Sequence, residues 1–281
     1  METSRHDQIS PLRLNTELVE RLLVQFLRDE ITNAGFQKAV LGISGGVDSA
    51  VSATLAAKAL GKENVLGVLM PHRTSNPRSV DDGRLVIETT GICSETVDIS
   101  PMVDAYCEEY KVRDRVRCGN VMARMRMIVL YDVSAREKAL VVGTSNKTEI
   151  LVGYGTQHGD LASALNPLGD LYKTQIWQLA EALQLPRSII EKKPTADLWE
   201  GQTDEGEIGF NYPDLDALLY QMIDERRTDA ELEAMKFSAD MIQRVRTLVQ
   251  KNQFKRRPPV IAKISYRTVN VDFRYIRDWG I

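Results

Sequence analysis

A chain of 281 residues, 43% hydrophobic and 27% charged, can bury a substantial core as one large domain or two small ones, which excludes a disordered polymer. Its 36 Lys+Arg against 39 Asp+Glu leave a net charge of −3, without the broad positive field of a non-specific nucleic-acid binder. No apolar run approaches the roughly 18 residues that span a bilayer and the polar opening from Met1 to Asn15 holds no signal segment, so a soluble, cytoplasmic protein away from membranes is expected.

The first predicted element is a helix over Leu14 to Ala34, where Leu18, Leu22, Val24, Phe26, Leu27 and Ile31 fall near helical spacing behind a cap at Asn15 or Thr16. Lys38 to Ile43 is almost continuously apolar, the pattern of a parallel strand covered on both faces. Ser44-Gly45-Gly46 interrupts it, and the Ala-rich segment from Val47 predicts a helix that stops at Gly61. Val65 to Met70 reads as a second strand, Val80 to Thr90 as a second helix of the repeating unit, and Glu95 to Ile99 as a third strand. Helical patterning resumes after Pro101, with Val116 to Lys138 as one long helix, followed by a buried strand at Ala139 to Val142 and a further helix. Leu171 to Leu185 is helical up to Pro186, whereas Lys193 to Tyr212, with Pro, several Gly and clustered acids, reads as a mobile loop able to close over a site. Asp214 to Glu225 and Asp229 to Gln250 predict two terminal helices before a basic, irregular tail from Lys251. The order implies right-handed crossovers: an α/β fold, a Rossmann-like doubly wound parallel sheet flanked by helices, with additional C-terminal helices. Cys93, Cys107 and Cys118 form an odd set without a C-x-x-C pair, so they are expected reduced, as small hydrophobes.

Ser44-Gly45-Gly46-Val47-Asp48-Ser49 lies between a buried strand and a helix. An anion there meets the free N–H groups of the first turn and the positive end of the helix dipole. Glycines let the backbone approach it, Ser44 and Ser49 add hydroxyls, and Asp48 can hold Mg2+. The bland alternative is a plain strand-to-helix turn. No Walker A loop occurs, and Gly153-Tyr154-Gly155 lacks the third glycine of a dinucleotide fingerprint, since His158 occupies its place. Gly42-Ile43-Ser44-Gly45-Gly46 also satisfies G-x-S-x-G, the nucleophile elbow of a serine hydrolase using Ser44. That reading needs a downstream His from His72 or His158 and leaves Asp48 and Ser49 without a task.

SGGVDS resembles the pyrophosphate loop of N-type ATP pyrophosphatases, which cleave ATP between its α and β phosphates to adenylate a substrate. GNVMARMRM at Gly119 to Met127, VGTSNKTE with HGD between Val142 and Asp160, KKPTADLW at Lys192 to Trp199, and the closing SYRTVNVDFRYIRDWGI are similar to the ammonia-dependent NAD synthetases among them. The resemblance runs from the leading helix to the last residue and implies a single domain over 1–281, with an ATP-pyrophosphatase core at about 36–200 and helices and tail at about 213–281.

What it implies for the site is specific. Gly42, Ile43, Ser44, Gly45, Gly46, Val47, Asp48 and Ser49 would embrace the phosphates of ATP, with Thr144, Lys173 and Thr195 as further contacts. Asp48 and Glu149 would bind Mg2+; Glu149 also follows a strand's carboxyl end, where open parallel sheets bind ligands. Asn120, Arg124, Gln157, Asp160 and Lys255 would contact deamido-NAD, with Asp48, Asp160 and Lys173 serving the chemistry. Three departures weaken the substrate side: Gln157 stands for a frequent Lys, Ala164 for an Asp, and Phe254-Lys255 for a His-Lys pair.

The implied reaction is ATP-dependent amidation of deamido-NAD to NAD by ammonia through an adenylate, in a ligase that is a homodimer. Glutamine-using relatives carry an extra amidase domain for which the residues before Leu14 leave no room, so free ammonia is the expected donor unless a separate glutaminase docks. A GMP synthetase-like enzyme and a nucleotide-binding sensor are the remaining alternatives.

Overall fold

The computed structural model describes residues 10–199, 201–269 and 271–272. The expected C-terminal motif therefore lies partly outside the described residues. The first helix, α1 (Thr16–Asn33), starts behind Asn15, whose side chain accepts from Leu18 N–H. It leads into β1 (Lys38–Gly42) and α2 (Val47–Leu60), then β2 (Val65–Leu69) and α3 (Pro77–Thr90). Helix α3 begins three residues before the predicted Val80 because Asn76 caps it and Pro77 occupies its first turn.

Strand β3 (Cys93–Thr96) is displaced toward the N-terminus from the predicted Glu95 to Ile99. It is an edge strand with one neighbour, and its side chains are mostly exposed, so it carries little apolar signal. The apolar Val97 and Ile99 continue the chain beyond it, donating to Leu69 O and Pro71 O. Helices α4 (Ser100–Glu109) and α5 (Arg115–Glu137) follow, then β4 (Ala139–Val141) and the short α6 (Lys147–Val152).

The sheet has the order β3-β2-β1-β4 with every pairing parallel. Alternation along β1 sends Ala39 and Leu41 into a core shared with α1, α2 and α3, and Val40 into a second core with α4 and α5, so both faces are covered. Strand order reverses between β1 and β4, which opens a crevice at their carboxyl ends.

Beyond the sheet lie α7 (Lys173–Ala182), α8 (Arg187–Ile190), α9 (Asp204–Ile208), α10 (Tyr212–Leu219, continued by a π turn to Asp224), α11 (Asp229–Ala234) and α12 (Ala239–Lys251). The predicted loop of 193–212 thus contains a helix, α9, capped by Thr203. The predicted helix over 229–250 is broken: the chain turns at Lys236, whose φ is +70°, and Ser238 caps a fresh start. Tyr212, Leu215, Leu218, Leu219 and Val245 form a third core, into which α6 inserts Val152.

Candidate active site

Residues from both sides of the strand-order reversal enclose one cavity of about 750 Å³. Its floor is the turn from β1 to α2. Gly46 caps α2 without a side-chain bond, so first-turn N–H groups face the cavity, where Ser44 and Ser49 set their hydroxyls 3.1 Å apart. Gly45 has φ +73°, and a Cβ there would sit 2.4 Å from Ser79 O, so only glycine fits. Gly42, Ile43, Ser44, Gly46, Val47, Asp48 and Ser49 all line the cavity, while Gly45 lies outside its lining, its carbonyl accepting from Lys192 Nζ at 3.2 Å. Lys192 also pairs with Asp82 at 2.7 Å, fastening the chain after α8 to this turn.

Behind the floor is a buried charge cluster. Lys173, the first residue of α7, places Nζ 2.5 Å from Asp48 and 3.4 Å from Glu149, with the Tyr212 ring at 5.2 Å. Asn146 is fully buried and serves twice: Nδ2 donates to Asp48 Oδ1 at 2.9 Å, and Oδ1 accepts from Glu149 N–H, capping α6. Burial pushes the Glu149 carboxyl up to about 8, against the pull of Lys173. Desolvation works against the Lys173 ammonium, but Asp48 and Glu149 outweigh it and hold its pKa above the usual lysine value. Asp204, accepting from Tyr154 and Tyr212 hydroxyls, adds a third carboxyl raised by burial.

One ammonium among three carboxyls leaves room for further positive charge. Among the described residues no group of three or more His, Cys, Asp or Glu could hold a metal ion alone. Asp48 and Glu149 nevertheless fit Mg2+, which commonly takes one or two carboxylates and completes its shell with water and substrate phosphates.

Asn120, Asp160 and Lys255 line the same cavity. Asp160 accepts from Thr156 N–H at 2.8 Å, and desolvation raises its pKa against that bond and the Lys255 charge. Lys255 is held by the carbonyls of Gly153 and Gly155 at 2.7 and 2.9 Å. Thr144 lines it as well. Arg124 is exposed, bonded to Gln157 O at 3.2 Å, and neither residue lines the cavity. Arg126, two positions on and therefore about 200° around α5, does line it, anchored to Met70 O.

The roof is the segment 192–199. Thr195 lines the cavity, Asp197 accepts from Asn76 N–H, and Leu198 crosses α5 at Gly119, where a Cβ would come 3.0 Å from it. Sequence reasoning gave no role to Asn146, Lys192, Asp204 or Arg126. Asn146 had one local signal, a capping residue ahead of Glu149.

The hydrolase alternative lacks its dyad. Ser44 Oγ bonds Ser49 and Gly46 N–H, whereas His72 bonds Thr74 and Asp104, and His158 is exposed.

The family model for NAD synthase matches residues 19–259. The "NH(3)-dependent NAD(+) synthetase" of Trichlorobacter lovleyi is 57% identical over 97% of this chain and 100% of its own. Among solved structures, the NH3-dependent NAD synthetase of Campylobacter jejuni aligns with a TM-score of 0.77 and 34% identity over 89% of this chain and all of that one. The NMN synthetase of Francisella tularensis aligns with a TM-score of 0.79 and 31% identity over 89% of this chain and 99% of that one.

Proposed function

The chain belongs to the NAD synthase family, and from that premise we propose that it is a C–N bond-forming ligase converting deamido-NAD to NAD with ATP and ammonia. The nicotinate carboxylate attacks the α-phosphorus of ATP, giving an acyl-adenylate and pyrophosphate; ammonia then attacks the activated carbonyl and AMP leaves. Neither step needs a protein nucleophile, only positioning and charge stabilisation. One observation carries the reading: the SGGVDS turn and the Lys173, Asp48 and Glu149 cluster share a cavity with Asp160.

First-turn N–H groups with Ser44 and Ser49 bind the phosphates, and Thr144 and Thr195 hold the nucleotide. Lys173 meets the charge that develops as the bond to the α-phosphate breaks. Asp48 and Glu149 would hold Mg2+, which when bound would neutralise pyrophosphate charge. Asp160 receives the proton that ammonia releases, a role suited to a carboxyl of raised pKa. Asn120, Arg124, Gln157 and Lys255 serve the dinucleotide; for the exposed Arg124 and the half-buried Gln157, both outside the cavity lining, this requires a homodimer that seats deamido-NAD at its interface. The segment 192–199 excludes water, which would otherwise hydrolyse the adenylate. The core of about 36–200 and the helices from about 213 act as one unit in the cytoplasm.

A second reading, amidation of nicotinate mononucleotide, is favoured by the likeness to an NMN synthetase. The deciding assay offers deamido-NAD or nicotinate mononucleotide, with ammonium or glutamine, and measures NAD or NMN together with AMP and pyrophosphate. The expected result is NAD from deamido-NAD and ammonium. Faster amidation of the mononucleotide would select the second reading, and turnover with glutamine alone would overturn free ammonia as donor.

A further inference from the structure

Lys173 and Glu149 sit on different helices, so something must fix α6 against α7. Asp216 bonds to both helices beside these two residues. Asp216, on α10 of the C-terminal helices, is fully buried. Its Oδ1 accepts from the Thr148 hydroxyl at 2.6 Å, and its Oδ2 accepts from Thr174 N–H at 2.8 Å. Thr148 precedes Glu149 and Thr174 follows Lys173. The Thr148 Oγ, having given its proton to Asp216, accepts from Lys173 N–H at 3.0 Å. A single side chain therefore ties the first turn of α6 to the first turn of α7 directly behind the reacting centre.

Both groups that meet Asp216 are donors. Its two carboxylate oxygens satisfy both. An amide that offers Oδ1 to Thr174 N–H turns its NH2 toward Thr148 Oγ, and the Thr148 hydroxyl proton then loses its acceptor at a fully buried position. The two hydrogen bonds also hold the carboxylate ionised against burial, which pushes its pKa up to about 6.

We infer that Asp216 is a positioning residue for the amidation: its carboxylate, through Thr148 and Thr174, sets the separation of Glu149 and Lys173, and by this the C-terminal helices become part of the ATP site. The inference rests on the amidation reading above.

The test measures NAD and AMP formation from ATP, deamido-NAD and ammonium by the full-length wild type and by Asp216→Asn, Thr148→Val, Thr148→Ser and Leu218→Ala. Each is assayed where circular dichroism shows it folded. Asp216→Asn and Thr148→Val should lower kcat roughly 10- to 100-fold, the scale of an ångström-sized misplacement, with KM for ammonium unchanged. Thr148→Ser keeps the hydroxyl and should keep kcat. Leu218→Ala empties a core position on the same helix without touching either donor, so it should lose stability and retain kcat.

A folded Asp216→Asn with wild-type kcat overturns the assignment, as does a Leu218→Ala that loses as much kcat. If Asp216→Asn does not fold, the Thr148 pair decides: equal kcat for Val and Ser overturns it, and loss confined to Val supports it. A wild type that forms no NAD sinks the amidation reading and this inference together, whereas an active wild type with unaffected variants sinks this inference alone.

Discussion

Asp48 is held by donors from two different elements, the Lys173 ammonium on α7 and the Asn146 amide ahead of α6. Replacing it with Asn keeps the shape but removes one of the charges that balance a buried ammonium. Turnover of Asp48→Asn should fall by roughly 100-fold or more, on the scale of losing a preorganised electrostatic contact, with unchanged circular dichroism. Near-normal turnover would remove Asp48 from the site. The cysteines allow a separate test at this scale. Burial pushes the Cys118 thiol up to about 11, helped by the Cys107 thiol 3.7 Å away, whereas Cys93 is exposed. A thiol reagent at neutral pH should label Cys93 first, and labelling of Cys118 should speed up about tenfold per pH unit as its thiolate fraction grows. Rapid labelling of two thiols at neutral pH would contradict this account.

At the scale of elements, the turn from β1 to α2 is fixed from outside by α3 and Lys192 as much as by its own sequence. Gly45→Ala would drive a methyl toward Ser79 O and force a left-handed φ on alanine. It should cost about 1–3 kcal/mol of stability and raise the KM for ATP, because relief of the clash moves the first-turn N–H groups proposed to bind phosphate. Denaturant titration with ATP kinetics checks it, and wild-type values in both would mean that the turn adapts. The roof shows the same dependence on distant partners. Pro, Gly and acids between Lys193 and Tyr212 suggest a loop, yet Thr203 caps a helix there and Asp197 is tied to α3's entry at Asn76.

Across the described residues, two cores cover the faces of the sheet and a third lies beyond it among the C-terminal helices, and Trp177 of α7 touches both the first and the third. What the described part leaves uncovered is informative. Val116, Ile128 and Tyr131 on α5, and Tyr106 and Tyr110 at the end of α4, stay exposed. Large apolar side chains gathered on neighbouring helices favour association. Light scattering should give twice the chain mass in solution, and substituting Ile128 and Tyr131 with charged residues should halve it. A monomeric wild type would also leave Arg124 and Gln157, which lie outside the cavity lining, without a route to the dinucleotide.

The contiguous features were legible in the sequence, because strand, glycine turn, acid and helix start lie within a dozen residues and each has its own physical signature. Apolar runs located β1, β2 and β4, each buried against neighbours that demand such residues. Strand β3 was expected two residues late, at Glu95 to Ile99, because the exposed side chains of Cys93–Thr96 carry little apolar signal. Sequence also named Lys173 and Glu149, but only resemblance linked them to Asp48. What the tertiary structure alone decided is which side chains share a volume: Arg126 rather than Arg124 enters the cavity, Lys192 reaches Gly45 over 147 positions, and Asp216 meets Thr148 over 68. Helix phase and long-range hydrogen bonds fix these meetings. Both arise from the packing of whole elements, and no local spacing encodes them.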